Sequence, residues 1–400
     1  MEGKPIRNYT DDAKVPLASK EDVLIVWDGS IGKCARGLEG AIGSTIVALT
    51  PIGIDSNYLE SFIKFSRPLL LQTSRGTGLQ HINQEIFWDL RVPVAPIEEQ
   101  HRIVAKLEIL LAKVEACQKR LNKIPTLLKR FRQSVLAAAC SGRLTADWHE
   151  VHIEDNPVKR TNILANGLPE VPETWCWVKL PKTGEMSRGK SRHRPRNAPF
   201  LLGGSYPFIQ TGDIAQSGGR ITSHKHTYSE AGLAQSRLWP AKTVCITIAA
   251  NIAESALLTY PACFPDSVVG IITDRSKCLP EFLEFFIRTA KSDLSTFAPA
   301  TAQKNINIKI LSDVLVPLPP LPEQHEIVRR VEALFKIADP IEDRYKKASA
   351  YVDKLTQSIL AKTFRGELVP QDPTDEPASE LLARIKEERA KILDRYWKKS

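Results

Sequence analysis

Val92-Pro93-Val94-Ala95-Pro96-Ile97-Glu98-Glu99-Gln100-His101-Arg102-Ile103-Val104 returns 224 residues later as Val316-Pro317-Leu318-Pro319-Pro320-Leu321-Pro322-Glu323-Gln324-His325-Glu326-Ile327-Val328. The offset holds without a gap to Gln133-Ser134-Val135-Leu136-Ala137 against Gln357-Ser358-Ile359-Leu360-Ala361, and on to Gly142-Arg143-Leu144 against Gly366-Glu367-Leu368. A period this long marks duplicated domains, not a solenoid. After each proline-rich run, which cannot itself be helical, the spacing predicts a long helix. In the first copy apolar residues stand at Leu107, Leu110, Val114, Cys117, Leu121, Ile124, Leu128, Phe131 and Val135. The second copy carries Val331, Leu334, Ala338, Ile341, Tyr345, Ala348, Val352, Leu355 and Ile359. Steps of three and four sustained this long are the heptad pattern of a helix–helix seam. Pro125 is expected to interrupt the first helix and Pro340 the second.

A helix of roughly 36 residues runs about 54 Å, too long for the core of a small domain, so the two helices are expected to pair with each other. The segment between them leaves the end of the first and enters the start of the second. Antiparallel pairing lets that segment close as a globule at one end, with the residues before Val92 at the other. The expected fold is α+β: two α/β globules separated by an antiparallel coiled-coil pair of long helices, with pseudo-two-fold symmetry. The divisions are a first globule at 1–91, a helical region at 92–150, a linker at 151–167, a second globule at 168–315, a helical region at 316–370 and a charged helical tail at 371–400.

The repeat extends into the globules. Ile82-Asn83 matches Ile306-Asn307, the strand and turn of residues 23–33 lie over residues 244–254, and the helical stretch 57–65 lies over 281–289. Residues 168–223 have no counterpart in the first globule, which predicts that its strand at 23–27 lacks a neighbour and exposes an edge, with the tail placed to cover part of it.

The 400 residues carry a net charge of +9, which points to a polyanionic partner. No apolar run approaches the length of a membrane span, and no apolar signal segment opens the chain. Seven scattered cysteines form no CxxC pair, which suggests neither a zinc site nor a disulfide framework and favours a cytoplasmic protein. Chemistry-bearing motifs are sparse. Gly29-Ser30-Ile31-Gly32-Lys33 has two residues between its glycines where a phosphate loop needs four, and Cys34 stands where that loop needs Ser or Thr. Asp266, Asp274 and Lys277 suggest a nuclease triad, but the Asp-to-Lys spacing is one residue too long. There is no Gly-x-Gly-x-x-Gly after a strand and no Asp/Asn-Pro-Pro-aromatic tetrad. No catalytic or metal-ligating residue is assigned. The repeated Glu-Gln-His at each helix start is read as a structural cap.

The clearest binding signal is Arg188-Gly189-Lys190-Ser191-Arg192-His193-Arg194-Pro195-Arg196, a loop too charged to bury itself and suited to phosphates by counterion release. Arg220, His224, Lys225 and His226 add charge, Gln210 and Thr211 suit base or phosphate contacts, and Lys33 and Arg36 are the candidates in the first globule. Asp213, which repels phosphate, is read as a turn or cap residue.

Several of these runs together strongly resemble the specificity subunit of type I restriction–modification systems. They are Pro96 with Glu99-Gln100-His101-Arg102-Ile103-Val104, Leu127-Leu128-Lys129-Arg130-Phe131-Arg132-Gln133-Ser134-Val135, Gly142-Arg143-Leu144-Thr145 with Trp148, and Phe364-Arg365-Gly366-Glu367-Leu368-Val369. Pro172 with Trp175-Cys176-Trp177-Val178 is similar to the start of a target-recognition domain, and Asp28-Gly29-Ser30-Ile31-Gly32-Lys33 to its central turn. The resemblance implies two target-recognition domains on an antiparallel helical spacer, each reading half of a split double-stranded DNA site. It implies a subunit without catalytic activity that binds two modification subunits and, through them, the restriction subunits. S-adenosylmethionine, ATP and magnesium then belong to those partners and not to this chain. The short first domain departs from the pattern. The rival expectations are an assembly protein that reads no DNA and a stand-alone nucleic-acid enzyme.

Overall fold

The computed structural model describes residues 10, 15–76, 78–152, 168–193, 195, 198–249, 251–291 and 306–397. The chain forms two compact units, residues 1–123 with 344–400, and residues 124–343. This division differs from that drawn by sequence, because each unit joins an α/β part to helical segments whose apolar faces it buries.

In the first unit, β1 (Leu17–Ala18), β2 (Val23–Val26), β3 (Cys34–Ala35), β4 (Gly40–Ala41) and β5 (Ile46–Leu49) precede α1 (Ser56–Gln72), α2 (Gln84–Trp88) and α3 (Ile97–Leu121). The main sheet has the order β3-β2-β5, antiparallel throughout, while β1 pairs with β4. Val23, Ile25, Ile31, Ile63, Leu70, Ile82 and Phe87 form its core. The expected exposed edge at residues 23–27 is therefore corrected: β2 is the central strand, and the edges are β3 and β5. The tail helix Ala378–Trp397 buries Leu381 and packs on the connection after β5. There Gly53 holds φ +65°, and a Cβ would come within 2.6 Å of Ile385. Arg102 of α3 holds Asp375 through two hydrogen bonds of 3.0 and 2.5 Å, which anchors the start of the tail.

The second unit opens with α4 (Ile124–Cys140) and α5 (Ala146–His152); the remaining linker residues, 153–167, lie outside the described residues. Next come β6 (Cys176–Lys179), β7 (Gly184–Arg188), β8 (Leu202–Phe208), α6 (Thr211–Gln216), β9 (Arg220–Ile221) and β10 (His226–Tyr228). They are followed by α7 (Glu230–Ala234), β11 (Val244–Thr247), β12 (Ser255–Leu258), β13 (Val268–Thr273), α8 (Pro280–Thr289) and β14 (Leu315–Leu318). The main sheet is β7-β13-β11-β12-β9, flanked by the pairs β8·β10 and β6·β14. Pro280 opens α8 at the first turn, where its missing N–H costs nothing.

The two sheets share a core of three strands. Trp27 N–H donates to Thr45 as Ile248 does to Ser267, Gly32 to Val26 as Ala253 to Thr247, and Ile82 to Trp27 as Ile306 to Ile248. Gly32 and Ala253 both sit in the left-handed region, at φ +70° and +58°. Thus β2, β3 and β5 correspond to β11, β12 and β13. Among the described residues, the first unit has no counterpart of the outer strands β7 and β9. Its edge β3 is only two residues long, a short edge that offers little to a foreign strand.

The long helix Leu321–Phe364 runs 44 residues, about 66 Å, and contributes to both units. In the first unit Ile103 and Leu107, near the start of α3, share a cluster with Leu360 and Phe364 near the end of the long helix. In the second, Val135, Leu136 and Ala139 near the end of α4 share a core with Ile327 and Val331 near its start. Within each unit the pairing is therefore antiparallel. The first helical stretch breaks at residues 122–123, leaving Pro125 in the first turn of α4, whereas Pro340 leaves the long helix unbroken. Arg132 donates to Asp339 and Glu342, both at 2.8 Å, and so braces the long helix on either side of that proline.

Most of the heptad positions face inward. Leu128 and Val331 are buried, and Leu110, Val114, Leu121, Leu334, Val352, Leu355 and Ile359 are half-buried. Cys117, Phe131 and Ile341 are corrections: Cys117 is exposed, and Phe131 and Ile341 stand at 37% and 44% exposure. The neighbouring Arg132 turns its guanidinium toward the long helix, and one residue is about 100° of helix, so Phe131 is rotated outward.

The Gly142-to-Trp148 motif locks onto the start of the long helix. Gly142 takes φ +78° against Pro172, where a Cβ would lie 2.2 Å from the ring. Glu323, fully buried, accepts from Thr145 Oγ1 and Trp175 Nε1, each at 2.8 Å, with His149 Nε2 at 2.9 Å. Burial pushes its carboxyl up against the pull of those donors. Arg330 bonds Asp147, Glu326 and the Leu144 carbonyl.

Two outcomes follow from this packing. Leu107→Ala, at 2% exposure, is expected to cost about 2–5 kcal/mol, while Phe131→Ala, on the same seam but at 37% exposure, costs less; urea denaturation of the two variants measures the difference. Hydrogen bonds from Arg329 and Arg330 hold the Glu326 carboxyl at about 2, below its ordinary 4.5. A depressed carboxylate stabilises the fold above its unfolded value and loses that contribution as pH falls through the folded one. Melting temperatures should therefore drop between about pH 4.5 and pH 2, and Glu326→Gln should shallow that drop.

Candidate nucleic-acid interface

The basic residues of the second unit do not form one patch. Arg188 closes β7 and Arg220 opens β9, the two outer strands of the five-stranded sheet. Four strand spacings separate them, about 19 Å. Both are engaged by the fold: Arg188 donates Nε and Nη2 to the Asp266 carbonyl at 2.9 and 2.7 Å, and Arg220 is ion-paired to Glu332 of the long helix. Each guanidinium thus has an internal acceptor that holds it in place.

Beyond Arg188 the chain runs along α7 and β10. Ser236 Oγ donates to the Lys190 carbonyl at 2.8 Å, Ser191 Oγ lies 3.3 Å from the Tyr228 hydroxyl, and His193 N–H donates to Gln235 at 2.9 Å. This tethering leaves Lys190 and Arg192 exposed beside the Tyr228 end of the β8·β10 pair. Arg194 and Arg196 lie outside the described residues.

At the other end of the same pair, His226 stands opposite Phe208. Lys225 and His224 precede β10 at this end, and Ile209 and Gln210 follow β8. His224 Nδ1 lies 3.1 Å from the Tyr260 hydroxyl, which fixes its ring. Gln210 and Lys225 are exposed, and Thr211 starts α6. Asp213 accepts from the Gln210 N–H at 2.9 Å, so it acts as the cap expected from sequence. The pair β8·β10 thus presents a cationic end at Lys190 and Arg192, and an amide, hydroxyl and imidazole end at Gln210, Thr211 and His224 beside Lys225. The strand of seven residues between them spans about 20 Å. In the sequence His224 counts only as added charge beside the basic loop; its ring contact with Tyr260 is visible in the structure alone.

In the first unit Lys33 is exposed in the central turn. Arg36 lies 3.4 Å from Glu60 and 3.8 Å from Glu108. The nuclease-like spacing does not assemble: Asp266 and Asp274 stand beyond opposite ends of β13, about 25 Å of extended chain apart. Asp274 is taken up by Ser276 and Lys277, whose hydrogen bonds hold it at about 2. Burial pushes the thiols of Cys34, Cys140 and Cys278 up to about 12, so they are poor nucleophiles at neutral pH. Among the described residues no group of three or more His, Cys, Asp or Glu is placed to hold a metal ion, and no helix is long and apolar enough to cross a membrane.

A three-stranded sheet core built twice, each beside a repeated helical segment, accompanies a match to a known family. The family described as type I restriction modification DNA specificity domain covers residues 3–126 and 172–348. The chain belongs to this family. It is 34% identical to the specificity subunit of the type I restriction enzyme EcoDI of Escherichia coli, across 92% of this chain and 84% of that one. It is 32% identical to the StySPI specificity subunit of Salmonella potsdam, across 93% and 82%. Among solved structures, the HsdS subunit from Thermoanaerobacter tengcongensis shares the fold with a TM-score of 0.52 at 18% identity, covering 89% of this chain and 84% of that one. A chain from a study of assembly and conformational transition of the type I R-M system shares it with a TM-score of 0.65 at 19% identity, covering 89% and 85%. This specificity subunit is accordingly a sequence-specific DNA-recognition protein, and its α+β fold of two α/β parts with long helices is that of the family.

Proposed function

We propose that this specificity subunit reads a split double-stranded DNA site, one half with each unit, and performs no reaction of its own. The observation that carries this reading is the shared backbone pattern of the two sheets, each set on a repeated helical segment. A protein built twice in this way suits a target with two half-sites, as operator symmetry mirrors protein symmetry. Two modification subunits supply S-adenosylmethionine chemistry, and restriction subunits that use ATP and magnesium join through them; these partners engage the helices.

In the second unit, Lys190 and Arg192 hold phosphates, while Gln210, Thr211 and His224 face base edges with Lys225 beside them. Amide side chains pair bidentately with adenine, which cations alone cannot distinguish. The first unit, which lacks the outer strands, reads its half through the central turn at Lys33 and makes fewer contacts.

Complexes assembled from this chain and a modification subunit are expected to methylate adenines in a split site, mapped by sequencing modified DNA. Lys190→Ala with Arg192→Ala should flatten the salt dependence of DNA binding by about 0.9 in log–log slope per lost phosphate contact, with the recognised sequence unchanged. Gln210→Ala should instead relax one base position, at a cost of about 1–3 kcal/mol in discrimination, with the slope unchanged. Methylation by the purified chain alone would show an enzyme. Assembly without sequence preference would show a scaffold that reads no DNA.

A further inference from the structure

Gln100 and Gln324 occupy equivalent places in the repeat, and both are fully buried. The two share a pair of equivalent bonds, and Gln324 makes a third. Gln100 Oε1 accepts from the Asp55 N–H at 2.9 Å, and its Nε2 donates to the Ala95 carbonyl at 2.8 Å. Gln324 Oε1 accepts from the Leu279 N–H at 2.7 Å, and its Nε2 donates to the Pro319 and Lys277 carbonyls, both at 2.8 Å. Asp55 and Leu279 are the N-cap residues of α1 and α8, the helices that back the two sheets. Ala95 and Pro319 belong to the proline-rich runs, and the glutamines themselves stand in the first turns of α3 and the long helix. In each unit one side chain therefore ties three parts together: the α/β body, the run leading out of it, and the helix that follows.

We propose that Gln100 and Gln324 are positioning residues that fix the angle of each α/β body on its own helix, and so make the subunit selective for the length of the gap between half-sites. The inference rests on the split-site reading above. Changing the gap by one base pair moves a half-site by about 3.4 Å along the duplex and turns it by about 35° around it, given one helical turn per 10–10.5 base pairs. A body held by a fully bonded buried amide cannot follow that movement without breaking at least two hydrogen bonds. A body joined only by apolar packing meets no directional restraint at this joint.

Gln→Met keeps the volume of the side chain and removes its hydrogen bonds, so it separates angle from packing. The experiment uses the full chain in complex with modification subunits, carrying Gln100→Met or Gln324→Met. It measures methylation of a DNA series that keeps both half-sites of the native target and varies the gap by one or two base pairs. The expected result is that each variant assembles, retains the sequence preference of both half-sites, and loses about tenfold of its preference for the native gap, the factor that one buried hydrogen bond of ordinary net strength supplies. Gln324→Glu, which keeps the acceptor but sets a carboxylate against two carbonyls, should lose gap preference likewise. Unchanged gap preference in folded variants would overturn the inference, as would loss of folding in both methionine variants, which would mark the glutamines as core-stabilising only. If the unaltered complex methylates no split site, the split-site reading fails instead.

Discussion

A side-chain amide sealed from water is tolerated only when its hydrogen bonds are made, because each orphaned donor or acceptor costs about 1–3 kcal/mol. The glutamine at the head of each repeated helix meets this condition with backbone groups alone: a helix N-cap N–H on one side and carbonyls of adjoining loops on the other. Backbone partners are supplied by any sequence that takes the right path, so the joint survives while the bodies around it diverge. The preceding glutamate, Glu323, adds Thr145 and Trp175 to the same point in the second unit. The start of the long helix thus gathers segments from residues 145, 175, 277, 279 and 319, and the arrangement of the second unit depends on it.

The first unit shows how much of the fold this joint needs. Among the described residues its main sheet has three strands, with no counterparts of β7 and β9, yet the central turn, its left-handed residue and the return of Ile82 to Trp27 are all retained. The missing strands lie outside the path from sheet to helix. They are an addition at the rim of the sheet, and in the second unit that rim carries Arg188 and Arg220. The first unit also builds its own supports. Tyr58 donates to the Pro93 carbonyl at 2.8 Å, and Phe364 packs against Tyr58, Phe62 and Phe65 with ring centroids 5.3 Å apart in each pair.

Helices and central strands were legible in the sequence because hydrophobic period and punctuation agree there. Val23–Val26, Val244–Thr247 and Pro280–Thr289 fall within a residue or two of the expected bounds. Exposure along the seam was less legible. A heptad count carried across Pro125 ignores the reset of phase where the chain leaves the helix at residues 122–123, and it ignores Arg132, whose ion pairs decide which way Phe131 faces. The edge assignment failed for a topological reason. The sequence orders β2 first among its neighbours, while the sheet sets it between β3 and β5.

The candidate interface was half legible, and the half that was missed is instructive. Charge density marked the loop from Arg188 onward, and charge is what composition can see. Which cations remain available is decided by acceptors distant in sequence: Asp266 for Arg188, Glu332 for Arg220, and Glu60 with Glu108 for Arg36. An arginine fork satisfied internally orders its own loop, while Lys190 and Arg192 stay exposed on the surface beside it. Gln210 and Thr211 stand out in the sequence by their chemistry, but their place beyond the end of β8 that pairs with the start of β10 follows only from the register, and the Tyr260 hydroxyl fixes the His224 imidazole near that end. Composition marks where positive charge is dense, while strand register decides which polar side chains stand at the same end of the β8·β10 pair.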